Sequence, residues 1–150
     1  MANHEWSSDE LKSKAEAYCA NAEHCSSELA LKLQQWGAEQ QQAEHIIAQL
    51  KEHHYIDEER YCRAFVHDKL LYQGWGRIKI QAALYAKRLP SVHINTALNS
   101  IDRTEYLGIL KRVITTKKRA IKSNDPMARE KLIRFCLQRG FTYDEIETLL

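Results

Sequence analysis

The sequence predicts an all-α fold of three tandem three-helix, helix-turn-helix-like repeats in an elongated, curved arrangement. Three observations carry this expectation. Almost every segment spaces its apolar residues at a 3.6-residue period. Only five Gly and two Pro occur in 150 residues, too few for the tight turns of an all-β chain. The same order of caps, apolar faces and stops also recurs three times along the chain.

The first repeat is expected over residues 1–55. Ser7-Ser8-Asp9 opens a helix over 9–22 that carries Leu11, Ala15 and Tyr18 at helical spacing. Ser26 or Ser27 caps a second helix, with Leu29 and Leu33 on one face. Trp36-Gly37 stops it, Gly being the usual residue just past a helix end. A third helix spans Gln40 to His53, its buried face marked by Ala43, Ile46, Ile47 and Leu50.

The second repeat covers 56–101. Asp57 caps a helix over 57–73 with Tyr61, Ala64, Phe65 and Tyr72 inward, and Trp75-Gly76 breaks it. Arg77 to Leu89 follows with Ile80 and Leu84, Pro90 ends it, and Val92 to Ile101 carries Ile94 and Leu98. The third repeat covers 102–150. Asp102 caps a helix bearing Tyr106, Ile109, Leu110, Val113 and Ile114. Asp125-Pro126 starts the next in cap-then-Pro order, with Leu132, Ile133, Cys136 and Leu137 along it, and Gly140 closes it before Thr142 to Leu150. The pairs Ile46/Leu50, Ile94/Leu98 and Ile146/Leu150 share one four-residue step and lie 48 and 52 residues apart. A three-helix unit buries little alone, so stacked neighbours are expected to share a continuous core.

Charge is sorted along this chain. The formal net charge is only +2, yet residues 1–59 hold twelve acidic and four basic side chains. Residues 60–139 hold eighteen basic and five acidic ones, and residues 140–150 three acids and no base. A central and C-terminal segment so basic calls for a polyanion or an acidic protein surface as partner.

A hydrophobic content of 44% argues against disorder. No apolar run approaches the roughly 18 residues of a membrane span, and Met1 to Trp6 has no basic stretch leading into an apolar core. These features predict a cytoplasmic protein with no membrane partner. The four cysteines fit reduced thiols, since no Cys-x-x-Cys occurs. Cys19, His24 and Cys25 lack standard zinc spacing and no second ligand pair accompanies them, so no metal is expected.

Catalytic signatures are missing too. His53 and His54 are adjacent and project about 100° apart on a helix, unlike a chelating i, i+4 pair. Ser7-Ser8 and Ser26-Ser27 are explained as helix caps. There is no phosphate-cradling Gly loop, no paired-carboxylate site and no Gly-x-Ser-x-Gly. Neither an enzyme nor a cofactor is implied.

The bases are better organised. Arg60, Arg63 and His67 fall at i, i+3 and i+7, a stripe opposite Tyr61 and Phe65. Lys69, Arg77, Lys79, Lys87 and Arg88 follow in the same repeat. In the third repeat Lys111, Lys118 and Lys122 share a face, with Arg112 and Arg119 beside them and Lys131 and Arg134 extending the series. Tyr72, Trp75 and Tyr85 lie near these charges, and Trp75, between two glycines, is the aromatic expected as an exposed contact. These residues form the candidate anion-binding set.

Several stretches resemble a known family. Tyr55-Ile56-Asp57-Glu58-Glu59-Arg60-Tyr61, then Ala64-Phe65-Val66 and Asp68-Lys69, is similar to the central motif of RecX regulators, and Gly76-Arg77-Ile78-Lys79-Ile80 with Leu84 and Lys87 continues it. Lys131-Leu132-Ile133-Arg134-Phe135 and Arg139-Gly140-Phe141-Thr142-Tyr143-Asp144-Glu145-Ile146 resemble the family's third repeat. Residues 1–54 match in helical pattern alone. Arg88 departs from the pattern, which has Gly there before an aliphatic residue.

The resemblance implies binding to the RecA recombinase filament and inhibition of its ATP hydrolysis, strand exchange and growth, within DNA repair and the SOS response. It implies a monomer lying along the filament groove, with single-stranded DNA as a further candidate partner. Two alternatives stand beside it: a direct nucleic-acid-binding helical module, and a helical adaptor for another acidic protein.

Overall fold

The computed structural model describes residues 5–150, so Met1 to His4, part of the stretch read as unlike a secretory signal, lie outside the described residues. The described residues form nine helices and no strand: α1 (Ser8–Asn21), α2 (Ser26–Gln35), α3 (Gln40–Glu52), α4 (Glu58–Leu71), α5 (Arg77–Ala86), α6 (Ser91–Asn99), α7 (Arg103–Ala120), α8 (Ala128–Gln138) and α9 (Tyr143–Leu149).

Local chemistry repeats with the helices. The side chains of Ser7, Asp57 and Asp102 each accept a hydrogen bond from the backbone N–H three residues on, at Glu10, Arg60 and Glu105. The second helix of each triplet ends in one shared way. Gly37, Arg88 and Gly140 all have positive φ. Just after them, Ala38, Leu89 and Phe141 donate their N–H to Leu33, Leu84 and Cys136, at 2.9, 3.4 and 3.2 Å. This is the Schellman closure, which satisfies carbonyls that a helix end leaves open.

Four local expectations change. Cys25, rather than Ser26 or Ser27, sits at the N-cap of α2, and Glu28 reaches back to accept its N–H at 3.1 Å. Arg88 ends α5 ahead of Pro90, which occupies the N-cap of α6. Asp125-Pro126 belongs to a turn, its carboxylate accepting from Met127 N at 2.8 Å, and α8 starts at Ala128. The inward face of α4 is Tyr61, Cys62, Val66 and Leu70, while Ala64 is exposed and Tyr72 is 76% exposed. Residues 62, 66 and 70 form an i, i+4, i+8 row buried in the core that also holds Ile94, Ala97 and Leu98 of α6.

The core also departs from one continuous interior. Leu11, Ala15, Cys19, Leu29, Leu33, Ile46, Leu50 and Ile56 form a first cluster, almost entirely within α1–α3. A second, larger cluster runs through α4–α9, from Tyr61 and Val66 through Ile80, Leu84 and Ile94 to Tyr106, Leu110, Phe141 and Ile146. One buried residue is exchanged in each direction: Cys25 enters the second cluster and Ile56 the first. The four-residue landmarks hold at Ile46/Leu50 and Ile94/Leu98, but Leu150 is 44% exposed beside a buried Ile146. The accessible surface, 9754 Å², exceeds by about a quarter the roughly 7,900 Å² of a compact 17.5 kDa monomer. The molecule is therefore extended.

Candidate basic interaction surface

Two different joints carry the basic segments. Between α1–α3 and α4–α6 the joint is polar. Arg60 Nε donates to Glu23 at 2.6 Å and its guanidinium reaches the carbonyl oxygens of His54 and Tyr55. Lys87 Nζ lies 3.2 Å from Glu28. Glu58, in the first turn of α4, accepts both the backbone N–H of Ser26, at 3.0 Å, and the Ser26 hydroxyl. A side chain from one triplet thus caps a helix of another. Burial alone would push the Glu28 carboxyl up; the Cys25 N–H and the Lys87 ammonium outweigh it and hold Glu28 below its ordinary value.

Between α4–α6 and α7–α9 the joint is made by backbone. Gly76 N–H donates to Arg139 O at 2.7 Å and Ile78 N–H to Gly140 O at 3.1 Å. Arg77 N–H donates to the Tyr106 hydroxyl at 3.0 Å, and the Arg77 guanidinium lies 4.6 Å above the Tyr106 ring. Burial raises the Tyr106 hydroxyl to about 12, so it stays protonated.

Given these joints, the predicted set divides. Arg60 and Lys87 are spent on α1–α3, and half-buried Arg77 on Tyr106. Arg63 pairs with Glu59 within its own helix at 2.7 Å, Lys69 lies 3.8 Å from Asp68, and Lys131 pairs with Asp125. Exposed and, among the described residues, with no carboxylate in ion-pair range are Arg88, Lys111, Arg112, Lys118, Arg119, Lys122 and Arg134. Trp75 is half-buried rather than an exposed contact. It packs edge-on to Phe65, and the Lys69 and Lys79 ammonium groups lie 5.0 and 4.3 Å from its ring centroid. Tyr72 and Tyr85, at 76% and 45%, are the exposed aromatics of this region.

The bases of α7 separate again between two grooves. Lys118 and Lys122 border one of about 450 Å³, floored by Ile114, Ile121, Leu132 and Leu149, with Arg129 on its rim. Arg112 faces another of about 530 Å³, shared with Lys117, Phe135, Arg139 and Tyr72. Sequence reasoning missed Lys117, Arg129 and Arg139. The run Lys117-Lys118-Arg119 was a visible signal for the first, whereas Arg139 is placed only by the joint at Gly140.

The four thiols are buried. Burial lifts Cys19 and Cys62 to about 11 and raises Cys25 and Cys136 as well, so all stay protonated and poor nucleophiles near neutral pH. His24 stacks on Tyr18 at 3.8 Å. Among the described residues no group of three or more His, Cys, Asp or Glu side chains is placed to hold a metal, and no helix is long and apolar enough to cross a membrane.

A stack of three-helix units with cations gathered on its second and third units defines an all-α helical-repeat protein. Models of the RecX second and third three-helix domains match residues 57–98 and 104–150. The regulatory protein RecX of Pectobacterium atrosepticum is 30% identical over 145 residues, covering 97% of this chain and 87% of its own length. That of Acinetobacter baylyi is 30% identical over 142 residues, covering 95% and 87%. The crystal structure of RecX from Lactobacillus salivarius superposes with a TM-score of 0.81 at 18% identity, over 95% of this chain and 93% of that one, which speaks for the fold. The chain belongs to the RecX family of regulatory proteins.

Proposed function

We propose that this chain is a non-enzymatic regulator that binds the RecA–DNA filament as a monomer in the cytoplasm. There it inhibits ATP hydrolysis, strand exchange and filament growth and so modulates DNA repair. We also read residues 1–55, 56–101 and 102–150 as its three working modules. The observation that carries the reading is the supply of unpaired cations from Arg88 through α7 to Arg134 on α8, set on an extended body whose acidic α1–α3 end is held by other bases. An extended body carrying basic surface suits a helical filament that encloses phosphates, because exposed cations attract and steer such a polyanion.

ATP turnover by RecA on single-stranded DNA tests it. Substoichiometric addition of this chain to a preformed filament is expected to slow turnover, with the effect shrinking as salt rises. Unchanged turnover at a one-to-one ratio in low salt would overturn the proposal.

A further inference from the structure

We propose that the groove between the α4–α5 connection, α7 and α8 binds a single strand of nucleic acid, with phosphates held by Arg112, Lys117 and Arg139 and a base stacked on Tyr72. The inference rests on the regulatory reading above and deepens it by giving the single strand, already a candidate partner, a seat.

The groove encloses about 530 Å³, and its charged lining consists of those three cations with no carboxylate among them. Two are positioned in advance by an aromatic ring rather than by an acid. Lys117 Nζ and Arg139 Cζ lie 4.7 and 5.0 Å from the Phe135 centroid. Arg139 also donates to Gln73 O at 2.7 Å. Cations held this way keep their charge uncompensated, so an arriving anion displaces no internal ion pair. Tyr72 caps the end of α4, meets His67 edge-on and leaves most of its ring open. An acidic peptide would use the cations alone. An open flat ring beside spaced cations matches a ligand that alternates anions with planar faces, as a single strand does.

Fluorescence anisotropy of the whole chain with labelled oligothymidylate and oligouridylate of about 10 nucleotides tests the seat. Binding of either strand supports it, and the tighter of the two identifies the source. The slope of log affinity against log salt is expected near about −2 for wild type, and about −0.7 for Arg112→Glu/Lys117→Glu. Tyr72→Ala is expected to weaken binding about tenfold. Arg103→Glu/Lys51→Glu, an equal charge change at exposed positions outside the groove, is the control.

Equal loss from both double variants would overturn the inference. So would an unchanged Kd for Tyr72→Ala, or full displacement of the strand by an equal concentration of a glutamate-rich peptide. Circular dichroism of each variant checks that the helices persist. Absence of strand binding by a wild-type chain that still slows RecA turnover would remove this site alone and leave the regulatory reading standing.

Discussion

Gly76 and Gly140 meet backbone to backbone. A Cβ on Gly76 would fall inside the Gly140 carbonyl, and one on Gly140 would lie 2.6 Å from Lys79 N. Gly140 also has φ of +103°, which L side chains rarely adopt. No flexible side chain can yield at this contact, so the main chain itself must move. Gly76→Ala and Gly140→Ala are each expected to cost about 2 kcal/mol or more. Urea denaturation followed by far-ultraviolet circular dichroism measures this, and a loss under half that size at both positions would count against a rigid joint.

Arg88 stands at the position that Gly37 and Gly140 hold in the other triplets, with φ of +60°. A side chain there pays for a left-handed conformation that glycine adopts freely. Arg88→Gly is expected to stabilise by about 0.5 to 1 kcal/mol, and Gly37→Ala, which meets no neighbouring atom, to destabilise by about 1 kcal/mol. Thermal melts of the pair check for opposite signs.

Arg60 and Arg63 are separated by one helical turn and by their roles. Arg60 bridges to Glu23 across the first joint, whereas Arg63 pairs locally and is exposed. Arg60→Glu is expected to destabilise by about 1 kcal/mol and Arg63→Glu by less than about 0.5 kcal/mol. Any loss of filament inhibition by Arg60→Glu is expected to follow from a loosened first joint. Equal melting temperatures for the two variants would show that the bridge is not formed in solution.

Stability is expected to fall at both ends of the pH scale for identifiable reasons. Cys19 and Cys62 move from 9.0 unfolded to about 11 folded, so their contribution is full below pH 9 and lost as pH rises toward 11. Glu28 lies below its ordinary 4.5, so its contribution is full above that value and lost as pH falls through the lowered one. Denaturation midpoints across this range check both signs. At pH 8 the native thiols are expected to resist an aromatic disulfide reagent and to react fully once unfolded.

Local signals explain what the sequence made legible. Asp57, Asp102, Ser7, Gly37 and Gly140 act on atoms a few residues away, so helix order and most boundaries could be read without tertiary information. Cys25 is not a customary cap, and its place depends on Glu28 reaching back. Ala64 and Tyr72 looked inward because they are apolar, but the row that the core buries is Cys62, Val66 and Leu70. The basic surface was legible as a region and not as a residue list. Arg60 lies 37 residues from Glu23 and Lys87 59 from Glu28, so their neutralisation is a property of the folded joint.

The unequal joints make the molecule mechanically asymmetric. Backbone bonds at Gly76 and Gly140 and one shared core tie α4–α9 together, while α1–α3 has its own core and is fastened by ion pairs, one shared cap and the exchange of Cys25 and Ile56. Such a fastening softens as salt screens it, whereas the backbone bonds do not. The acidic end therefore behaves as a sprung tailpiece. Rising electrolyte is therefore expected to loosen that end before it disturbs the backbone contact at Gly76 and Gly140.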